Sequence, residues 1–394
     1  MKARIGSRLS AMMMWGAMTV PAGAALADDS AIITFDAPGA DTTANDYNGT
    51  FPSSINDEGV IAGSVIDTNF VYDGFLRSPD GRFTIFQAPG ADTTVGSYHG
   101  TVSNGINDAG EVTGYYTDAS GYVHGFLRSA RGTFTSFDVP GAAGYSVPIA
   151  VNLEGAVVGY YLDVNSLFHA FLRRPDGSYS TWVGPGSCAT NGSQGCFGSA
   201  AFSINSFGMI AGGFEDDSPN QVGHGFVRSP GGKLTPFEVP EAGAGVGQGT
   251  GCPGCSPGLN DRGAIAGIYI DANNVFHGYL RSPEGAFTKF DAPGAGTGSF
   301  QGTGCSSDCP VVINDAGMIV GSYIDTNNVF HGFVRSPRGT VTTLDAPGAG
   351  TGAYQGTTCQ FCSLGLNQSG AISGSYLDAN NIYHGFLRTA PRDR

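Results

Sequence analysis

Histidine recurs at one position along this chain, at His124, His169, His224, His277, His331 and His384, with Asp73 in the corresponding first place. An arginine follows four residues after each, at Arg77, Arg128, Arg173, Arg228, Arg281, Arg335 and Arg388. On a strand, residues i and i+4 share a face, so imidazole and guanidinium point to the same side. A ring of imidazoles could bind metal or act as bases. The competing reading is one hydrogen-bonded His and Arg per unit, tying strand ends to turns and carboxylates. Repetition favours the second, since a catalytic residue is needed once and a structural one in every unit. His277, Arg281 and the turn residue Asn260 are therefore expected to be scaffold, and no catalytic residue, metal site or cofactor is assigned.

The eight cysteines come in close pairs: Cys188 with Cys196, Cys252 with Cys255, Cys305 with Cys309, and Cys359 with Cys362. A zinc site needs four ligands, which facing CxxC pairs could supply. In an exported chain with an even count, local disulfides are the expectation. Each would close a short loop and add less than the roughly 3 kcal/mol of a 15-residue loop.

A third recurring group joins an aromatic or amide side chain to a Gly-Thr pair: Tyr47-Asn48-Gly49-Thr50, Tyr98-His99-Gly100-Thr101, Gln248-Gly249-Thr250, Phe300-Gln301-Gly302-Thr303 and Tyr354-Gln355-Gly356-Thr357. Flat rings flanked by hydrogen-bonding groups suit sugars, which present both C–H patches and hydroxyls. Tyr47, Tyr98, Gln248, Phe300, Gln301, Tyr354 and Gln355 are thus candidate ligand contacts. Alternatively the rings plug their loops, in which case they would be buried. Ser-Pro-Asp-Gly turns such as Ser78 to Gly81 lack the spacing of a sialidase-type Asp-box, and no Gly-x-Ser-x-Gly elbow, His-Glu-x-x-His helix or phosphate loop occurs.

These residues are positioned by a repeat. Asn56, Asn107, Asn152, Asn205, Asn260, Asn314 and Asn367 open seven copies at intervals of 51, 45, 53, 55, 54 and 53 residues, a period that marks an array. In the fifth copy the first strand ends at Leu259-Asn260, and the others read as Ala264 to Asp271, Val275 to Ser282 and Ala286 to Ala292. Asn-Asp-x-Gly, Asp-Ala-Asn-Asn and Ser-Pro-Glu-Gly supply the turns. The second strand is apolar on both faces and must be covered on both. The fourth alternates, tolerates Pro236 and ends in Pro-Gly, as an edge strand does. Small sheets buried between neighbours describe propeller blades; the coils of a β-solenoid are shorter.

The ends complement one another. AIITFDAPGA, Ala31 to Ala40, matches a fourth strand, and Tyr383 to Pro391 completes a third. The expected fold is all-β, a seven-bladed β-propeller closed by an N-terminal strand that completes the last blade and removes two sheet edges. In such an array the inter-blade connections and the turns between second and third strands emerge on one face. That face carries every long loop, beside turns holding Asp67, Asp118, Asp163, Asp271, Asp325 and Asp378.

With His169-Ala170-Phe171-Leu172-Arg173 in the third copy, and mostly His-Gly-Phe/Tyr-Leu/Val-Arg elsewhere, the chain resembles the bacterial extracellular repeat family named for the tripeptide His-Ala-Phe (HAF). The likeness covers essentially everything after the leader and implies export and β structure. It implies no activity, and most copies here carry Gly where the family has Ala.

Residues 1–27, with MKARIGSR, an apolar run and Ala25-Leu26-Ala27, read as a secretory signal peptide, leaving 28–394 as one domain. Its removal takes three of the 19 Lys and Arg and none of the 33 Asp and Glu, for a charge of −17. Nucleic acid and anionic membrane are poor partners for such a chain, and no later run is long enough to span a bilayer. The expected protein is secreted or periplasmic. Two function classes stand: a non-enzymatic binding module whose partner is an extracellular glycan or protein, and a secreted propeller hydrolase or lyase acting on polysaccharide. A purely structural surface role is the third.

Overall fold

The computed structural model describes residues 30–188, 197–251, 255–305, 310–358 and 362–390; the expected leader and Cys196, Cys252, Cys309 and Cys359 lie outside them. Every regular element among the described residues is a strand. In the fifth unit Gly258–Leu259, Ile265–Ile270, Phe276–Arg281 and Phe287–Phe290 form an antiparallel meander, with Leu259 opposite Ile265, Ile265 opposite Arg281, and Arg281 opposite Phe287. Second strands are buried along their length in five units, as in Ile265–Ile270, and at all but two residues in Val112–Thr117 and Val157–Leu162, while fourth strands such as Phe287–Phe290 expose their middle residues. The alternation read from the sequence thus corresponds to an inner, doubly covered strand and an outer edge.

The other units repeat this arrangement, for example in Ser146–Val151 to Tyr179–Trp182 and in Ser199–Ile204 to Leu234–Phe237. Among the described residues no sheet closes on itself. Where two units share a sheet, the link is a single parallel bridge, Tyr72 with Gly100 or Phe330 with Gly356. The N-terminal strand Ile32–Phe35 pairs antiparallel with Tyr383–Arg388, Ile32 opposite Arg388 and Phe35 opposite Gly385. The first strand of the described chain is therefore the fourth strand of the last meander.

The turn asparagines tie neighbouring units together. Each Oδ1 accepts from the amide four residues on, as Asn260 does from Ala264 at 2.9 Å. Each Nδ2 donates to the carbonyl of the next unit's asparagine: Asn56 to Asn107, then to Asn152, Asn205, Asn260, Asn314 and Asn367, at 2.8–3.2 Å. Asn367 donates in turn to Asn56 at 3.1 Å, so the chain of bonds returns to its origin. All seven are buried.

Packing between units rests on the third strand. The aromatic of His-Gly-Phe/Tyr (Phe75, Phe126, Phe171, Phe226, Tyr279, Phe333, Phe386) is fully buried. A Cβ on the preceding glycine, as at Gly278, would enter the ring of the fourth-strand aromatic, here Phe290. In the unit that carries Ala170 the opposing residue is Trp182. Where the residue is Gly, its missing Cβ leaves the room that the facing residue occupies, as at Gly278.

Candidate binding face

In each meander the turn between second and third strands and the connection to the next unit emerge at the same end. The five Gly-Thr connections are built alike. The threonines Thr50, Thr101, Thr250, Thr303 and Thr357 are fully buried, and each Oγ1 accepts from a backbone amide at the end of the preceding fourth strand, from Ala37, Ala88, Val239, Ala292 and Ala346 at 2.8–2.9 Å. The preceding glycine has φ between +117° and +132°, and a Cβ there would overlap a neighbouring carbonyl, as Gly49 would with Tyr383. The threonine is the plug.

The aromatics stand outside. Tyr47, Tyr98, Phe300 and Tyr354 are 51–63% exposed and sit at φ of +54° to +66°, a region unfavourable for bulky residues. The fourth unit places Gly247 at the equivalent position, also at positive φ. Backbone bonds fix the geometry: the amides of Tyr98, Phe300 and Tyr354 donate to the carbonyls of Phe70, Asn274 and Asn328 in the adjacent turns at 2.7–2.9 Å. Tyr98 also meets the Phe70 ring, centroids 5.4 Å apart. Tyr122, 55% exposed, belongs to the same end of the molecule.

The three candidate glutamines are placed differently. Gln248 is buried and Gln301 and Gln355 are half-buried. Their Oε1 atoms accept from Gly245, Gly298 and Gly352, and their Nε2 atoms donate to Oδ1 of Asn274, Asn328 and Asn381 at 2.8–2.9 Å. Their amides are spent inside the fold, buttressing loops in which Gly243, Gly296 and Gly350 leave room for them. The loops of Tyr47 and Tyr98 solve the same problem otherwise: Asp41 accepts from Thr43 and Asn48, and Asp92 from Thr94 and His99. Hydrogen bonds from Thr43 and Thr94 lead in holding these carboxyls below their usual pKa.

Five of the six repeated histidines lie between a ring and two carboxylates, and His169 lies between Tyr161 and Asp163. His277 stacks on Tyr269 (5.1 Å), its Nδ1 meets Asp291 at 3.0 Å and its Nε2 lies 3.7 Å from Asp271. His224, His331 and His384 repeat this with Glu238, Asp345 and Asp36. The hydrogen bond to that acid is the main reason these four imidazoles titrate above 6.5. Burial works against ionised Asp271, yet the amides of Val275 and Asn273 hold it below its ordinary value. In the first unit Asp73 takes the histidine's place and Gln87 the acid's, joined at 2.6 Å.

Arginines act at the other end of the third strand. Arg77, Arg128, Arg173, Arg228, Arg281 and Arg335 stack over Phe35, Phe86, Phe137, Trp182, Phe237 and Phe290 of the preceding meander at 4.6–5.2 Å. Burial lowers the Arg281 pKa, and its Nε has no hydrogen-bond partner.

No group of three or more His, Cys, Asp or Glu among the described residues could hold a metal ion. Cys188, Cys255, Cys305 and Cys362 are buried, none is a free thiol, and their expected partners lie outside the described residues. No helix among the described residues is long and apolar enough to cross a membrane. First strands, with Tyr115 and Tyr160, line a cavity of about 450 Å³. One acid escaped the sequence reading. Glu215, 6% exposed, ends a second strand where other units carry Ile66, Thr117, Leu162, Ile270, Ile324 and Leu377. It accepts from the Phe197 amide at 2.6 Å, and burial raises its pKa. The one charged residue at a position that is uncharged in every other unit is the signal.

No family model matches the chain, and no curated protein matches it by sequence. Solved structures do. The streptogramin B lyase structure superposes with TM-score 0.55 at 13% identity, over 91% of this chain and 98% of that one. The β-propeller domain of the trilobed protease from Pyrococcus furiosus gives 0.54 at 8%, over 87% and 98%. The BP39L lectin from Burkholderia pseudomallei gives 0.52 at 7%, over 87% and 98%. At these identities the likeness is one of fold, and the fold is that of an all-β propeller repeat protein.

Proposed function

We propose that this protein is an exported, non-enzymatic binding module that takes carbohydrate on the long-loop face of a seven-bladed propeller. Seven turn asparagines whose bonds return to their origin, and the pairing of Ile32–Phe35 with Tyr383–Arg388, support the closed ring. Export, secreted or periplasmic, rests on the leader-like 1–27 and the paired cysteines, and kinship with the His-Ala-Phe repeat proteins on the repeated motif.

One observation carries the binding reading. Four loops hold an aromatic at positive φ, more than half exposed, where Gly247 is the unstrained solution, so the ring is retained at a conformational cost that its partial packing, as of Tyr98 on Phe70, offsets only in part. Strain of this kind marks sites where presentation matters. A rigid ring on a preorganised loop also loses little entropy on binding. The glutamines are left out of the contact surface, because their amides are already bound.

Changing Tyr98 and Tyr354 together to Ala should abolish retention on a polysaccharide panel while the folded protein persists. Retention equal to the unaltered protein would sink the reading. The hydrolase or lyase alternative has Glu215 as its unit-specific acid. Turnover of any polysaccharide in the same panel, lost in Glu215→Gln, would establish that alternative instead.

A further inference from the structure

The charges of this protein are sorted by end. Of the 14 Lys and Arg among the described residues, 13 lie at the ends of the strands that carry the short turns, from Arg77 and Arg82 to Arg388. The long-loop end has Lys289 alone, and it is paired with Glu241 at 2.6 Å. The acids divide the other way: of 29 described, 19 lie at the long-loop end and 10 at the other. Counting Lys and Arg against acids gives −18 at the end with the exposed rings and +3 at the opposite end. The −14 net charge of the whole sequence conceals this polarity.

Part of the acidity is internal, since Asp271, Asp325 and Asp378 cap their own turns. Much of it faces water. Asp36, Asp138, Glu238, Asp291 and Asp345 have side chains 42–59% exposed, and Asp46, beside Tyr47, and Asp217 are exposed as well. Histidines beside these acids offset part of the charge when protonated, but seven imidazoles cannot balance 19 carboxyls.

Resting on the binding reading above, we propose that the ligand is an amine-bearing polysaccharide, a polymer of glucosamine-type sugars with free amino groups, and not a neutral or acidic glycan. The outward rings of Tyr47, Tyr98, Phe300 and Tyr354 stack on sugar faces, and an ammonium beside a ring gains a cation–π contact as well. The surrounding carboxylates attract the polycation from a distance and exclude uronate polymers by like charge. A cationic peptide would be ordered by a groove or an unpaired strand edge. The described long-loop end offers turns and loop tips carrying single rings, which fits a chain of flat, rigid sugar units better.

The test is co-sedimentation at about pH 6, where a glucosamine amine is largely protonated, with fully acetylated polymer, extensively deacetylated polymer, a uronate polymer and poly-lysine, at low and high salt. The deacetylated polymer should bind at least about tenfold more tightly than the acetylated one, and the preference should shrink in high salt. Asp46→Asn with Asp217→Asn should weaken that binding severalfold and leave the melting temperature in place. Tyr98→Ala with Tyr354→Ala should lose the glucosamine polymer and keep whatever poly-lysine binding exists. Equal binding of acetylated and deacetylated polymer would overturn the proposal and leave carbohydrate binding standing. Capture of poly-lysine and glucosamine polymer alike, both indifferent to the rings, would overturn it in favour of a general polyanion. Failure to bind any polysaccharide would remove the underlying reading too.

Discussion

Asn260→Ala is the sharpest perturbation of the scaffold, because the side chain has a partner on each side of a unit boundary. Its Oδ1 accepts from Ala264 at 2.9 Å, closing the turn, and its Nδ2 donates to the Asn314 carbonyl at 3.0 Å. Asn260 is 5% exposed, so truncation strands the Asn314 carbonyl away from water and leaves the part-buried Ala264 amide without its partner. At about 1–3 kcal/mol per unsatisfied buried group, less what water recovers at the half-exposed Ala264 amide, the loss should be about 3 kcal/mol. With an unfolding entropy of about 2.1 cal/mol/K per residue over roughly 360 folded residues, that lowers the melting temperature by about 4 °C. Asn260→Asp keeps the acceptor and loses the donor, which separates the turn from the inter-unit bond. The decisive comparison is Asn367→Ala, whose Nδ2 donates to Asn56 across 311 residues of sequence. In a closed ring it costs as much as Asn260→Ala. Calorimetry and urea titration measure both. An effect of Asn367→Ala limited to its own turn bond with Ala371, clearly below that of Asn260→Ala, would refute closure, and negligible effects of both would refute the reasoning altogether.

Other outcomes follow from the same geometry. His224, His277, His331 and His384 titrate above 6.5 when folded, so their contribution is complete below that pH and is lost as pH rises through the folded value. Thermal stability should therefore fall as pH rises above about 6.5, less steeply in His277→Asn, and a flat profile would contradict the pairing. Arg281→Lys keeps the charge but loses the planar stack on Phe237, 5.0 Å away, and should cost about 1–2 kcal/mol by denaturant titration without touching carbohydrate binding. Non-reducing peptide mapping of exported protein should recover four short-range links, 188 to 196, 252 to 255, 305 to 309 and 359 to 362; free thiols or bound zinc would contradict them. Tyr354→Gly removes an exposed ring from positive φ, as Gly247 already does, and should leave stability within about 1 kcal/mol or raise it while weakening binding.

The repeat was legible because it is written in local chemistry. Asn-Asp-x-Gly and Asp-x-Asn-Asn turns specify themselves within four residues, and the all-apolar second strand announces that both its faces are covered. Relations between units were not legible, because nothing local distinguishes an asparagine that closes only its own turn from Asn260, whose second amide hydrogen serves the next unit. The expected tie from arginine to turn is present, Arg128 and Arg281 donating to the Ser129 and Ser282 carbonyls, but nothing local announces that the same guanidinium stacks on the preceding unit's aromatic, a contact some 40 residues distant in sequence. The amide bonds of Gln301 and Gln355 were hidden for a similar reason. Beside a ring these side chains resemble recognition groups, and only the space above Gly296 and Gly350 shows that the amide turns inward.

Comparison of the long loops separates what the fold needs from what the surface displays. Two incompatible interiors occur: Asp41 with Asn48 and Asp92 with His99 in the first two loops, and Gly with Gln in the last three. Neither can be exchanged piecemeal, since glutamine needs the glycine's space and the aspartate needs a short partner. Both nonetheless deliver the same buried threonine and the same left-handed residue before it. Four of the five put an aromatic there, with both interiors represented. A ring that followed from one loop's packing would be tied to that interior. A ring that is common to both and touches water is dictated by neither interior.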